Sequence, residues 1–220
     1  MTRMTNARVA GFTFLLYIAA GITAMVLSGK AMQGQEVAAK FVSLAQNPSQ
    51  VHLAAVLNLL CCFCALALGV TLYSITRDED PDLAMLGMTC RVAEGVVGAV
   101  ATQHSLGLLW LATAAEAQGQ NAGTSQTIGA FLLWGQGWSP TIAGLLFGVG
   151  STLFSWLFLR GRMIPVALAW LGVLASLLIV VGLFLQLGGF EVSGLIWMPM
   201  AAFEIPLALW LLIKGVRAPA

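Results

Sequence analysis

Six apolar runs, each close to the length a helix needs to cross a bilayer, constrain this chain more than anything else in it. A helix rises about 1.5 Å per residue, so roughly 20 apolar residues are required to pass through the hydrocarbon core. The runs are residues 9–28, 51–75, 83–114, 141–159, 165–187 and 195–213. They are continuous rather than alternating in polarity, which predicts helices and not the strands of a barrel. Water could not solvate the product: 59% of the 220 residues are hydrophobic and 9% are charged, against about 25% charged in a soluble domain. The expectation is an all-α, polytopic membrane protein. A single membrane domain over residues 1–220 would form a six-transmembrane-helix bundle with short amphipathic helices at its outer face.

The boundaries carry their own chemistry. Arg3 and Arg8 precede the first run as in a secretion signal, but the run from Val9 to Ser28 exceeds the roughly 7–15 residues of a cleaved signal core. It reads as a true first span. Asp80-Pro81-Asp82 opens the third span, because Asp caps a helix and the missing N–H of Pro would be unpaired there anyway. Ser139-Pro140 opens the fourth span by the same logic, Pro165 opens the fifth, and Gly188-Gly189 ends it. Two longer connections remain. Gly29 to Gln50 contains QEVAAKFVSLAQ, a pattern for an amphipathic helix on the membrane surface. Glu116 to Trp138 contains QTIGAFLLWGQGW, with tryptophans suited to the interface.

Lys and Arg set the orientation. With the N-terminus in the cytoplasm, Arg3, Arg8, Arg77, Arg160, Arg162, Lys214 and Arg217 fall inside, Lys30 and Lys40 fall outside, and Arg91 lies within the membrane. Seven against two places both termini in the cytoplasm.

Within the apolar runs, Arg91 and Glu94 stand three residues apart on one helix and so share a face. From Asp82 to Arg91 is a rise of roughly 13 Å, and from Glu204 to Lys214 roughly 15 Å. Both are counted from the same side, so Glu204 in the sixth span is predicted at nearly the depth of Arg91. The three would form a Glu94–Arg91–Glu204 cluster between the third and sixth spans. A lone charge there costs about 2.5–3.5 kcal/mol on the lenient insertion scale, so paired charges facing the bundle interior are the tolerable arrangement. Pro206 frees the carbonyl of Ala202 and could open a polar pocket beside Glu204. Two readings follow. The charges hold helix to helix, or they form a binding or proton-relay site with one carboxylate to spare.

His52 and His104 are predicted near the outer interface on neighbouring spans. Two histidines could be axial haem ligands or half a metal site, although an interfacial histidine is commonly just solvated. No cofactor is otherwise predicted. Cys61, Cys62, Cys64 and Cys90 lie in apolar runs, where cysteine behaves as a small hydrophobe; CCFC is too tight for the usual metal or redox spacing, and a soft-metal or thiol role is the alternative. Asn58 suits an interhelical hydrogen bond, and the small residues Gly95 with Ala99 and Gly144 with Gly148 allow close helix approach. There is no GxSxG, HExxH, phosphate loop or dinucleotide fingerprint, and Gly150-Ser151 is not a convincing protease motif. An enzyme is therefore not the expectation. A net charge of +1 without a basic cluster argues against nucleic acid. The partners expected are the lipid bilayer and a membrane protein or a second copy of the chain.

RVAEGVVGAV in the third span, LFGVGSTLFSWLFLRGRMIPVALAWLGVLA across the fourth and fifth, and MPMAAFEIPLALWLLIKG at the end resemble domain-of-unknown-function family 4386. RVAGFTFLLYIAAGI fits the family's opening. Arg91, Glu94, Pro165, Glu204 and Lys214 fall on its characteristic positions, while Arg160-Gly161-Arg162 departs from its usual Arg-Ser-Gly. The resemblance implies six membrane helices and a bacterial plasma membrane, and it implies no activity. From the residues, two functions compete, beside a third in which the chain is a membrane enzyme or cytochrome using His52 and His104. One is small-molecule or ion binding and transport through Arg91, Glu94 and Glu204, with Glu204 as the titrating group. The other is a non-catalytic structural or interaction subunit.

Overall fold

The computed structural model describes residues 2–118 and 122–217. Among them are seven α-helices and no strand: α1 (Arg3–Ala31), α2 (Val37–Gln46), α3 (Pro48–Thr76), α4 (Pro81–Gln118), α5 (Ala122–Arg160), α6 (Val166–Leu187) and α7 (Met198–Ile213), with a single 3₁₀ turn (Gly194–Trp197) leading into α7. Six helical segments are long and apolar enough to cross a membrane: α1, α3, α4, α5, α6, and the turn with α7. The all-α, six-span expectation holds. Large apolar side chains such as Phe12, Met25, Phe63, Trp110 and Phe131 point outward, while Arg91, Glu94 and Glu204 are buried. That inversion suits a lipid solvent, in which an outward charge is the costly one.

Several helix ends follow their sequence chemistry. The Leu83 N–H donates to Asp80 Oδ1 at 3.1 Å, capping α4. Pro165 sits immediately before α6. At the other end of α6, Gly189 adopts φ +88°, and the Phe190 N–H donates to the Leu185 carbonyl at 3.1 Å. A left-handed residue that turns the chain back onto the last carbonyls is a glycine's role. The amphipathic segment after Gly29 forms α2, which buries Phe41 and Leu44.

The start of the fourth span is a correction. Pro140 does not open a helix; it lies inside α5, which already begins at Ala122. QTIGAFLLWGQGW, expected in an outer connection, is part of that helix. Pro in a helix frees the carbonyl four residues back, here that of Gln136, but a membrane helix tolerates this where nearby groups re-satisfy the backbone. Ser139, just before the proline, donates its hydroxyl to the Gly135 carbonyl at 2.8 Å, the carbonyl next to the freed one. The part of the expected connection at residues 119–121 lies outside the described residues.

The chain divides into two compact units. Unit 1 comprises residues 1–17, 63–95 and 141–220. Its core packs Phe14, Leu68, Leu72, Phe154, Phe158, Phe203 and Leu207 among others. One end of this unit gathers the start of α1, the α5–α6 connection and the end of α7: Arg3 reaches the Met163 sulfur at 3.3 Å, and the Arg217 N–H donates to the Met163 carbonyl at 3.1 Å. Arg160 and Asp80, 3.3 Å apart, bring the α3–α4 connection to the same end. Helices in unit 1 approach closely where they carry glycine. A Cβ on Gly144 would meet Leu183 Cδ1 at 2.8 Å, and one on Gly148 would meet Val180 Cγ2 at 2.8 Å, so the pair expected to permit close approach lies where α5 meets α6. Thr152 adds a hydroxyl bond of 2.9 Å to Ser176 across the same contact. Unit 2 comprises residues 18–62 and 96–140. Its core joins α2 to α4 through Phe41, Leu44, Leu108 and Leu111.

Candidate functional site

Arg91 lies wholly within unit 1, 1% exposed, the largest of its fully buried side chains. Room for it is made by two glycines. A Cβ on Gly69 of α3 would sit 3.2 Å from Arg91 Cβ, and one on Gly150 of α5 would sit 3.1 Å from Cys90 Cβ and 3.6 Å from Arg91 Cδ. The guanidinium lies over two aromatic rings, 5.4 Å from the centroid of Tyr17 on α1 and 5.0 Å from that of Phe147 on α5. A desolvated cation over a ring gains about 2 kcal/mol. Two rings therefore go far to offset the cost of a charge in the apolar interior.

Glu94 supplies the counter-charge from the next turn of α4. Its Oε2 lies 2.9 Å from Arg91 Nη1. Its Oε1 accepts the Tyr17 hydroxyl at 2.7 Å. The Arg91 contact is ionic rather than directional, since neither Glu94 Oε2 nor any of the three guanidinium nitrogens has an aligned hydrogen-bond partner among the described residues.

Glu204, 7% exposed on α7, shares the neighbourhood without closing on the arginine. Among the described residues the ion pairs are Arg77–Asp78, Arg91–Glu94 and Arg160–Asp80, and Glu204 belongs to none. Its Oε1 is buried with no hydrogen-bond partner. Arg91 and Glu204 line one cavity together with Ser151 and Ser155 of α5 and a wall of Phe14, Leu72, Phe154, Phe158, Phe203 and Leu207. The space open there to the centre of a water molecule is ≈ 10 Å³, about what a single water needs. Arg91 and Glu204 thus border a common space sized for something small.

The three residues singled out in the sequence therefore come together in one unit, but as a pair and a neighbour rather than a closed triad. Sequence reasoning missed Tyr17, Phe147, Ser151 and Ser155. Three of these carry a hydroxyl inside an apolar run, which was the available signal; Phe147 carried none.

The histidines lie in unit 2. His52 is exposed on α3. His104 is half-buried, with an unpartnered Nδ1 and a ring so close to Gly135 that a Cβ there would be 3.3 Å from its Cε1. Among the described residues no three His, Cys, Asp or Glu side chains converge in a metal-binding group. Cys64 and Cys90 are buried, and Cys61 and Cys62 half-buried. Asn58 lines a second small cavity, in unit 2, with Ser105 and Gln136; the Gln136 amide donates to the Ser105 hydroxyl at 2.8 Å.

The family model described as "Domain of unknown function (DUF4386)" matches residues 9–215, nearly the whole chain. No curated protein and no solved structure matches it.

Proposed function

The chain belongs to the DUF4386 family, whose description names no activity, and from the site itself we propose a small-ligand or ion-binding membrane protein, a transporter in kind. Its site is the space between Arg91 and Glu204, with Glu94 and Tyr17 holding the arginine in place. One observation carries this reading: a buried cation and a buried carboxylate, each with polar atoms that lack a hydrogen-bond partner among the described residues, border the same cavity. Such groups in an apolar interior are expensive, and a membrane interior is where ionisable residues mark ion and substrate paths. The membrane proposed is a bacterial plasma membrane with both termini in the cytoplasm.

The rival is an architectural role, favoured by the Tyr17–Glu94 bond, which ties α1 to α4. Against it, the ion pair itself lies within one helix and joins no two. Thermal unfolding of the purified protein, screened over small ions and solutes at several pH values, separates the two. A shift in the wild type that folded Glu204→Gln lacks supports the site. If the wild type responds to nothing while Glu204→Gln and Arg91→Met both unfold easily, the charges are architectural.

A further inference from the structure

We infer that the species exchanged at this site is a proton, carried by Glu204 beside Arg91. The inference rests on the binding site just proposed and names its ligand. Charge comes first. Arg91 and Glu94 form an ion pair and cancel, +1 with −1, so an ionised Glu204 leaves the cluster at −1. Uptake forms one O–H bond on the carboxylate and brings the cluster to zero. Release breaks that bond and returns the proton to water. No other reactant is needed.

The cavity selects against the alternatives. A hard cation such as Mg²⁺ or Ca²⁺ takes 6–8 oxygen ligands. The oxygen-bearing side chains here are Glu204, Ser151 and Ser155, and the remaining polar wall is a guanidinium, which repels cations. An anion would meet the Glu204 carboxylate and an arginine whose charge Glu94 already offsets. A larger solute would not fit where the space holds about one water. A proton needs one oxygen, and the space holds about one water to deliver it.

Ionisable groups around Glu204 are few. Away from the basic end of unit 1, α4 brings Cys90, Arg91 and Glu94, α1 brings Tyr17 and α3 brings Cys64, while α5 brings the serines and α6 carries no ionisable residue; Arg3, Arg8, Tyr73, Asp82 and Arg160 lie nearer that end. The cavity also points toward one side. Phe14, Leu72, Phe154 and Leu207 line it, each three residues nearer the basic end of unit 1 than Tyr17, Gly69, Ser151 and Glu204 respectively. Three residues is about one helical turn. The cavity thus reaches along the first of the roughly three turns that lie between Glu204 and Lys214, ten residues on.

Infrared difference spectra of the bilayer-reconstituted full chain, recorded across pH in H₂O and D₂O, test this. The expected result is a carboxylic-acid C=O band that grows reversibly as pH falls, shifts in D₂O and disappears in Glu204→Gln. Glu204→Asp keeps the carboxyl and should restore a titrating band should the glutamine variant fold poorly. Na⁺, K⁺, Mg²⁺ and Ca²⁺ are added to the same samples. If no Glu204-dependent band titrates but one of these ions shifts the spectrum or the thermal midpoint through Glu204, the proton inference fails and the binding site stands. If neither protons nor ions act through Glu204, and no solute does so in the thermal screen, both readings fail.

Discussion

Arg91 is held by several contacts, none of them a well-aligned hydrogen bond: two ring faces, a carboxylate 2.9 Å away, and glycines that clear its stem. Removing it leaves Glu94 as a buried charge with only the Tyr17 hydroxyl. Breaking a buried pair costs about 3–5 kcal/mol, so Arg91→Met should lower stability by that order. Adding Glu94→Gln to Arg91→Met should recover part of the loss, because the orphaned charge goes too. Tyr17→Phe keeps the ring over the guanidinium and deletes one interhelical hydrogen bond, which in membrane proteins averages about 0.6 kcal/mol. Equilibrium unfolding in mixed detergent would rank the three. A Tyr17→Phe loss as large as that of Arg91→Met would mean that the hydroxyl, not the pair, organises the cluster. The depth rule that placed Glu204 beside Arg91 also applies elsewhere. Tyr17 lies nine residues beyond Arg8, Arg91 nine beyond Asp82, and Ser151 nine before Arg160. Applied to every span, it would have brought Tyr17 and Ser151 to the site. No such rule could assign Phe147, whose contribution is the direction of a ring face and not its depth.

At the scale of helices, glycine separates contact from open space. A Cβ on Gly11 of α1 would lie 2.6 Å from the Ala208 carbonyl oxygen and 2.7 Å from the Leu212 backbone nitrogen of α7. Neither backbone atom can swing aside, so Gly11→Ala must push the helices apart, at a cost of about 1–3 kcal/mol typical of overpacking. Gly137 of α5 is exposed with nothing within 4 Å of such a Cβ. Gly137→Ala should be neutral or stabilising by up to about 1 kcal/mol, the helix-propensity difference. Paired thermal melts would show opposite signs, and a neutral Gly11→Ala would refute the close α1–α7 approach. The apolar turn beside the cavity gives a kinetic counterpart. Leu207→Ala removes side-chain volume from that wall and should speed deuterium exchange at the Glu204 acid severalfold without abolishing it; an unchanged rate would send the proton by another path. Helix existence was legible because six apolar runs leave a lipid-solvated chain little else to do. Local caps such as Asp80 were legible because a capping bond spans only three residues. The start of α5 was not. Pro140 carries the same local signal whether it opens a helix or interrupts one.

Across the whole chain, basic residues divide by unit. Lys30 and Lys40 belong to unit 2, while Arg3, Arg8, Arg77, Arg91, Arg160, Arg162, Lys214 and Arg217 belong to unit 1. Of those eight, Arg91 is buried; the other seven lie at or near helix ends. The contacts of Arg3 and Arg217 with Met163, and of Arg160 with Asp80, show that these ends are neighbours, so the count describes one face of unit 1 rather than scattered loops. Flanking Lys and Arg are retained on the cytoplasmic side during insertion. A reporter that matures only in the cytoplasm should therefore be active when fused after Arg217, and an impermeant amine reagent added to intact cells should label Lys30 or Lys40 and not Lys214. The proton inference takes a side from this result, because the cavity extends from Glu204 toward the basic end. With that end in the cytoplasm, Glu204 exchanges protons with the cytoplasm along the roughly three helical turns between it and Lys214, and acidifying only the lumen of right-side-out vesicles should raise its acid band faster than acidifying the outer medium. If the reporter and the labelling report the reverse orientation, the same geometry gives the site to the outside, and the faster response moves to the outer medium.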